Sequence, residues 1–498
     1  MTQPSPSQPP LRSSRWSATD PALAFDVHNP ATGAVLRRVQ GADPAQVDAA
    51  VCCAHQAQPA WRQCTARERG ALLLAVARTL RAHADELAQL ETEENGKPLS
   101  QARYADIEAC IAVFEYFGAL VDKLPGHSVS LGALDSVEHL EPFGVVAGIL
   151  PFNWPPIHFA GKVAPALAVG NTVVLKPGEQ APLTVMRLVE LANQVLPPDV
   201  LHVLPGGWQV GDALARHPLV RKLSFTGAPA TGVKVLQACA ERLTPTLMEL
   251  GGKNPLIVFD DADLDAALIG ALDGAFFNKG EACTAASRLL VQRGVLQRFT
   301  ERLGQAVSRL RVGDGLDPTT HVGPVVSRAQ QQRVVQYIAL GQAEGARLVA
   351  SAALPDDPRL RDGFFVAPTL LADVRGDMRV AQEEIFGPVS CILPFDTEDE
   401  AIALANGTDF ALVAAVYSQD NARCQRVARA VEAGVVFINN YNRQFIGTPF
   451  GGTKASGFGR EHHLGTLHEF GYLKAVRQPT GRAPVPHWPV AEALIKAL

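Results

Sequence analysis

The chain has 498 residues, 47% of them hydrophobic and 19% charged, with a formal net charge of −5. It is too long for one ordinary core and too apolar for a disordered chain, so a soluble globule of two or more domains is expected. The mild negative charge, with no Lys/Arg run, excludes a dedicated nucleic-acid binder, and no apolar stretch reaches the roughly 18–20 residues of a membrane span.

Residues 1–20 are Pro/Ser-rich, lack the apolar core of a secretory signal and read as a flexible arm. Residues 66–94 carry a helical apolar stripe (Leu72, Leu73, Val76, Leu80, Leu87, Leu90) that stops at Asn95-Gly96, and a second helical stretch runs from about 100 to 121. From Val145 the period changes. Apolar runs at Val145–Leu150, Thr172–Leu175, Leu201–Leu204, Lys222–Phe225 and Thr246–Leu250 alternate with helical segments near 156–169, 182–196, 208–216 and 229–241. Strands alternating with helices predict a parallel sheet covered on both faces, with ligands at the carboxyl ends of its strands. A second alternating block starts at Pro255–Phe259, with strand candidates at Arg288–Val291, Ser390–Phe395, Ala411–Tyr417 and Gly434–Ile438. The Gly251-Gly252 pair marks the domain change. The tail carries Pro484, Pro486 and Pro489, then a short helical stretch at Val490–Leu498.

The eight cysteines (Cys52, Cys53, Cys64, Cys110, Cys239, Cys283, Cys391 and Cys424) contain no Cys-x-x-Cys pair. Zinc and thioredoxin-like chemistry are therefore unsupported, and free thiols in a reducing, cytoplasmic compartment are expected. The adjacent His462-His463 lacks a third partner and makes a poor metal site; no metal is expected.

Several segments carry chemistry. No G-x-G-x-x-G is present, but Phe225-Thr226-Gly227-Ala228-Pro229-Ala230-Thr231-Gly232 is a glycine-bearing turn between strand and helix, where free amides can meet a phosphate. The second strand ends in Lys176-Pro177-Gly178-Glu179, an ammonium and a carboxylate suited to ribose hydroxyls. In Pro151-Phe152-Asn153-Trp154-Pro155 two prolines fix the backbone around an Asn amide. Met248-Glu249-Leu250-Gly251-Gly252-Lys253 runs a carboxylate into paired glycines, and Phe276-Phe277-Asn278-Lys279-Gly280-Glu281-Ala282-Cys283-Thr284 sets one thiol among small neighbours after a turn. A nucleophilic sulfur needs an open approach, and a later hydrolytic step needs a base for water. Glu383-Glu384-Ile385-Phe386-Gly387-Pro388 and the Gly-rich stretch Pro449 to Glu461 complete the set.

In this order, with Asn29-Pro30-Ala31-Thr32-Gly33 as the opening segment, these motifs resemble the aldehyde dehydrogenase superfamily across nearly the whole chain. The resemblance implies an α/β fold: a Rossmann-like parallel-sheet cofactor domain (21–121 and 141–250), an α/β catalytic domain (251–453) and a small β oligomerisation extension with the C-terminal tail (122–140 and 465–498). It implies Cys283 as nucleophile, Glu249 as the base that activates water, Asn153 with the Cys283 N–H as oxyanion hole, and Glu461 as a second acid able to relay protons. It places Trp154, Lys176, Glu179, Gly227, Ala228, Gly232, Leu250, Glu384 and Phe386 at the cofactor. NAD is implied more than NADP, because Glu179 would repel a 2′-phosphate. Trp154, Phe277 and Phe450 are candidate tunnel walls for an apolar or aromatic aldehyde, and Arg443 could reverse that lean by reaching the tunnel mouth.

Two departures from the family pattern stand out. Ala228 replaces the usual Ser of the nucleotide turn, which removes a hydroxyl but leaves the backbone amides. Glu281 replaces the usual Gln two residues before the thiol, and would raise the thiol pKa if it pointed inward. Some lowering of that pKa by a helix end or cofactor charge is expected for work near neutral pH. An acylating enzyme that passes the thioester to coenzyme A, or a catalytically silent relative, are the alternatives. The strand candidates Ser128–Leu140 and Gly471–Arg477 match the family's subunit contacts and imply a homodimer or homotetramer.

Overall fold

A computed structural model describes Trp16, residues 20–441 and residues 446–498. The arm expected over 1–20 lies outside the described residues except for Trp16 and Asp20, and so does Arg443. The described chain opens with an antiparallel pair, β1 (Ala24–His28) and β2 (Val35–Gln40), on either side of the Asn29–Gly33 turn. A helix then runs over Pro44–Gln63, capped reciprocally by Asp43 and Gln46. The stripe expected as one helix over 66–94 is two, Ala66–Ala82 and Ala84–Asn95. They part at His83, whose backbone leaves helical geometry while its ring bonds the Thr79 carbonyl at 2.9 Å. Gly96 closes the second at φ 88, as its left-handed stop requires. The stretch expected over 100–121 forms as Leu99–Gln101, one wide π-type turn at Ala102–Ile107, and Glu108–Leu120.

After the antiparallel strands β3 (Ser128–Ser130) and β4 (Leu134–Pro142) comes the first parallel sheet. It contains β5 (Val145–Ile149), β6 (Thr172–Lys176), β7 (Leu201–Val203), β8 (Val220–Thr226) and β9 (Thr246–Glu249). Its spatial order is β9-β8-β5-β6-β7, so the chain winds outward from β5 to β7 and then returns to the other side of β5. The strand order therefore reverses between β5 and β8, and that reversal opens a crevice at the carboxyl ends of the two strands. The helix between β5 and β6, Pro155–Val169, is buried along its whole length. Burying Ile157, Phe159, Val163 and Leu167 alone contributes roughly 6–12 kcal/mol by transfer from water, which fixes the floor of that crevice.

The second sheet is built from β10 (Pro255–Val258), β11 (Arg288–Gln292), β12 (Arg347–Ser351), β13 (Thr369–Ala372), β14 (Val389–Phe395), then β16 (Val413–Tyr417) and β17 (Val435–Ile438). Its order is β12-β13-β14-β11-β10-β16-β17, parallel except for the edge strand β12. The run expected as one strand over 411–417 breaks at Leu412. Its first part, β15 (Phe410–Ala411), pairs with β18 (Thr453–Lys454), and only the second enters the sheet. Past β18 the chain crosses to the first sheet, where β19 (Gly457–Phe458) runs antiparallel to β9. The last strand, β20 (Gly471–Pro479), pairs with β4 over nine residues, and a helix at Pro489–Lys496 follows.

Candidate active site

The thiol sits at the end of a strained approach. After the helix Leu264–Phe276, Asn278 (φ 47), Lys279 (φ 59) and Gly280 (φ 66) all adopt the left-handed conformation. For each of the two non-glycine residues this costs about 1–2 kcal/mol, so surrounding contacts must impose it. The Asn278 amide donates to the carbonyls of Asn153 and Glu281, both at 3.0 Å, and its backbone N–H donates to Gln101 at 2.9 Å. The buried Lys279 ammonium donates to the Asn95 carbonyl at 3.0 Å and pairs with Glu281 at 3.1 Å. A Cβ at Gly280 would collide with the Gly387 carbonyl, so the position admits only glycine.

Glu281 is fully buried and turned away from the sulfur. Its Oε1 accepts the Val326 N–H at 3.1 Å and its Oε2 faces Lys279. Burial still raises its carboxyl, with Lys279 opposing. The thiol itself is pushed well up, not down as expected: burial is the main cause, and Glu249 and Glu384 add negative charge beside it. The charge that acts on Cys283 therefore comes from the two acids across the crevice.

Glu249 is the last residue of β9 and is 1% exposed. Neither of its carboxylate oxygens has a hydrogen-bond partner among the described residues. Burial lifts this carboxyl to about 8; Glu461 and Glu384 push the same way, against Lys162 and the neighbouring thiol. Beside Glu249 in register, Thr226 of β8 accepts from Lys162 at 2.8 Å, and Lys162 also donates to Glu461 at 3.0 Å. Glu461 arrives there because β19 docks on β9, where Gly457 (φ 99) packs against the Met248 backbone. Burial works to raise Glu461, but Lys162, His462 and His158 outweigh it and hold it below the usual carboxylate value.

Asn153 follows β5 and is 2% exposed. One N–H of its amide donates to the Glu281 carbonyl at 3.1 Å, which orients the group and leaves a second N–H. Its backbone carbonyl is held by Lys97 at 2.9 Å as well as by Asn278. Lys97 is buried between Asp106 (2.5 Å) and Glu91 (3.2 Å). A buried ionic layer thus supports both the amide and the nucleophile loop from behind.

Cys283 opens onto two cavities. The first, about 280 Å³, lies in the crevice between β5 and β8 and is lined by Asn153, Gly227, Ala228, Glu249, Leu250, Glu384 and Phe386. The Gly252 N–H fixes Glu384 at 3.0 Å, and a Cβ on Gly251 would collide with the same carboxylate. Gln330 and Arg333 bond the carbonyls of Phe386 and Glu384 at 2.6 and 2.7 Å and so hold that segment over the crevice. Of the amides at the 227–232 turn, that of Gly227 is taken by the Glu249 carbonyl, and those of Thr231 and Gly232 by Ala228; Pro229 has none. The N–H groups of Ala228 and Ala230 are left for an anion, fewer than the turn's sequence suggests. Lys176 and Glu179 stand 3.9 Å apart at the end of β6, beyond this cavity's lining.

The second cavity, about 300 Å³, lies on the opposite side of the sulfur and is lined by Trp154, Ile157, His158, Thr284, Phe450 and His462, with Tyr104 and Glu108. Trp154, expected at the cofactor as well as in the tunnel, lines only this side: its ring stacks on Phe277 (5.8 Å, 11°), with the Lys97 ammonium 4.4 Å from its centroid. Phe277 backs Trp154 and does not itself line the cavity. Sequence reasoning missed Lys162, Thr226, Gln330, Arg333, His158 and the placement of His462. Lys162 had a signal, being the only Lys or Arg in the otherwise apolar stretch 155–169.

The aldehyde dehydrogenase family profile matches residues 16–476, and the chain belongs to that family. Aldehyde dehydrogenase citD of Monascus ruber is 51% identical over 475 residues, 95% of each chain. Betaine aldehyde dehydrogenase of Agrobacterium fabrum is 41% identical over 465 residues, 93% of this chain and 94% of that one. Among solved structures, betaine aldehyde dehydrogenase (betB) from Staphylococcus aureus in complex with NAD+ superposes with a TM-score of 0.90 at 37% identity, covering 93% of both chains. PnpE from Pseudomonas sp. WBC-3 gives 0.91 at 39% identity, over 94% of this chain and 96% of its own.

Proposed function

We propose that the protein oxidises an aldehyde to a carboxylic acid through a thioester on Cys283 that water, activated by Glu249, hydrolyses. The observation that carries this reading is a half-buried thiol reached from two cavities, with a carboxyl of pKa about 8 in one of them. The first cavity and the end of β6 beyond it suit a dinucleotide: outward amides at a helix start and Glu384 with Phe386 beside the sulfur in the cavity, and the Lys176/Glu179 pair outside it for a ribose. NAD is the better match, because the Glu179 carboxylate would repel a 2′-phosphate.

The Cys283 thiol loses its proton to solvent, and the resulting thiolate adds to the aldehyde carbon. The second N–H of Asn153 and the Cys283 N–H stabilise the resulting oxyanion. A dinucleotide held by Glu384, Phe386 and the 227–232 turn would supply the hydride acceptor needed for the oxyanion to collapse to the thioester. Glu249 then removes a proton from water as it attacks the acyl carbon, the C–S bond breaks, and the acid leaves. Glu461, Lys162 and Thr226 form a hydrogen-bonded chain beside Glu249, which supports Glu461 as the proton-relaying second acid. Trp154, Ile157 and Phe450 favour an apolar or aromatic body on the substrate.

A base buried beside the thiol supports water rather than coenzyme A as acyl acceptor. Residues 251–453 form the catalytic domain in this reading, 21–121 and 141–250 the cofactor domain, and β4 with β20 the subunit contact. Cys52, Cys64, Cys110, Cys239, Cys283, Cys391 and Cys424 carry free thiols, in keeping with a cytoplasmic location; among the described residues no helix is long and apolar enough to cross a membrane. Cys283→Ala is expected to abolish NADH and acid formation from an aldehyde. Persistence of acid formation would refute the thioester route, and turnover that requires coenzyme A would replace the hydrolytic reading with the acylating one.

A further inference from the structure

The structure separates the two members of the pair His462-His463. His463 turns back on its own loop, where its ring accepts the Gly465 N–H at 3.3 Å. His462 adopts φ 67, and its ring lies 5.8 Å from Phe450 in the second cavity. A left-handed histidine is an uncommon conformation that a site must hold in place. Gly161 makes the room: a Cβ there would lie 3.1 Å from the imidazole Cε1.

Across the same cavity stands His158, one helical turn before Lys162. Both histidines are 6% exposed. Among the described residues neither ring nitrogen of His158 has a hydrogen-bond partner, and nor does Nδ1 of His462. Buried polar groups are ordinarily paired, so three unpartnered imidazole nitrogens on two rings facing one cavity are a mark of binding rather than packing.

The charge state narrows the ligand. Burial drives His158 down to about 3, and Lys162 and Lys97 push the same way; burial also lowers His462. Both rings are therefore neutral at physiological pH, and a neutral imidazole donates one hydrogen bond and accepts another. The nearby ammonium groups are taken by carboxylates, Lys162 by Glu461 and Lys97 by Asp106 and Glu91. They offer an anionic tail no free partner, and their carboxylates are equally taken and offer none to a cationic one. Glu108 at the mouth is held by Arg81 and Arg103. What complements neutral imidazoles is a group that also both donates and accepts, and the walls Trp154 and Phe450 fit a ring.

Building on the aldehyde-oxidation reading, we propose that His158 and His462 are specificity residues for a hydroxylated aromatic aldehyde, whose ring hydroxyl they bind in the second cavity. The test separates this from the chemistry by measuring binding to Cys283→Ala calorimetrically, with benzaldehyde, 3-hydroxybenzaldehyde, 4-hydroxybenzaldehyde and betaine aldehyde as probes. At least one hydroxylated ring is expected to bind about tenfold tighter than benzaldehyde, and betaine aldehyde more weakly than either. Adding His462→Leu or His158→Met, each singly, should cut that hydroxyl preference by at least threefold. Equal binding of benzaldehyde and both phenols, a preference that survives both substitutions, or tighter binding of betaine aldehyde overturns the proposal. Wild-type protein that binds the phenols selectively yet forms no NADH from them leaves this assignment standing and refutes the oxidation reading alone.

Discussion

Replacing Glu249 by Gln isolates the hydrolytic half of the reaction. Among the described residues the only polar side chain against the Glu249 carboxyl is the Cys283 thiol, a weak partner, so the isosteric swap disturbs at most that contact, and a stability change within about 1 kcal/mol is expected. A positioned general base contributes roughly 10²–10⁴ in rate, so turnover is expected to fall about 10²–10³-fold, or about 3–4 kcal/mol. The loss should depend on pH in a defined direction. With its carboxyl near 8, Glu249 is about a tenth ionised at pH 7 and about nine-tenths at pH 9, and only the ionised form is a base. Wild-type deacylation should therefore rise with pH, and the gap to the Gln variant should widen about tenfold between those values. Glu249 is also a charge that raises the Cys283 thiol. Its removal should move the pH midpoint of the pre-steady-state NADH burst downward while the burst itself persists. Rapid-mixing fluorescence with steady-state turnover at each pH measures both. Turnover equal to wild type, or a gap independent of pH, would remove Glu249 from the hydrolytic role.

Asn153→Ala removes an oxyanion donor and should lower kcat about 10²–10³-fold; a change confined to KM, measured by steady-state kinetics, would place the amide outside the oxyanion hole. Lys279→Met leaves Glu281 as an unpaired buried charge and should cost about 3–5 kcal/mol in denaturant unfolding, with Lys279→Met/Glu281→Gln recovering at least half. No recovery would show that the Asn95 contacts of Lys279 matter more than the ion pair. The strand β20 exposes Tyr472, Leu473 and Val476 along its length, so micromolar protein should run as a dimer or tetramer in light scattering, and Leu473→Asp/Val476→Asp should shift it toward monomer. A wild-type monomer would contradict the subunit contact.

The first sheet was readable because β5 and β6 are near-continuous apolar runs between turn residues, as burial on both faces demands, and β7, β8 and β9 carry shorter ones that recur after each helical segment. The strands β12 and β13 escaped notice: Arg347–Ser351 is half polar at an edge, and Thr369–Ala372 is short. The helix Pro44–Gln63 was hidden by alanines and an internal Pro59, although its caps are orthodox. Motifs named Cys283, Glu249, Asn153 and Glu384, and folding gathers all four at one cavity. What sequence could not supply was direction. Nothing local says that Glu281 faces Lys279 and Val326 instead of the sulfur, or that Trp154 turns to one side of it only. Those orientations rest on partners far away in the chain, such as Asn95, Lys97 and Val326.

The catalytic sulfur forms a partition between two chambers, and the base belongs to only one of them. Glu249 borders the chamber of Glu384 and Phe386 and is absent from the lining of the chamber of Trp154 and Phe450. In the proposed mechanism, water for the second half-reaction would gather on the side of Glu384 and Phe386, while the acyl group waits on the other. On that reading, enlarging the chamber of Trp154 and Phe450 should broaden what the protein accepts without flooding its base, and crowding the opposite chamber should slow release of the acid even when the aldehyde fits well.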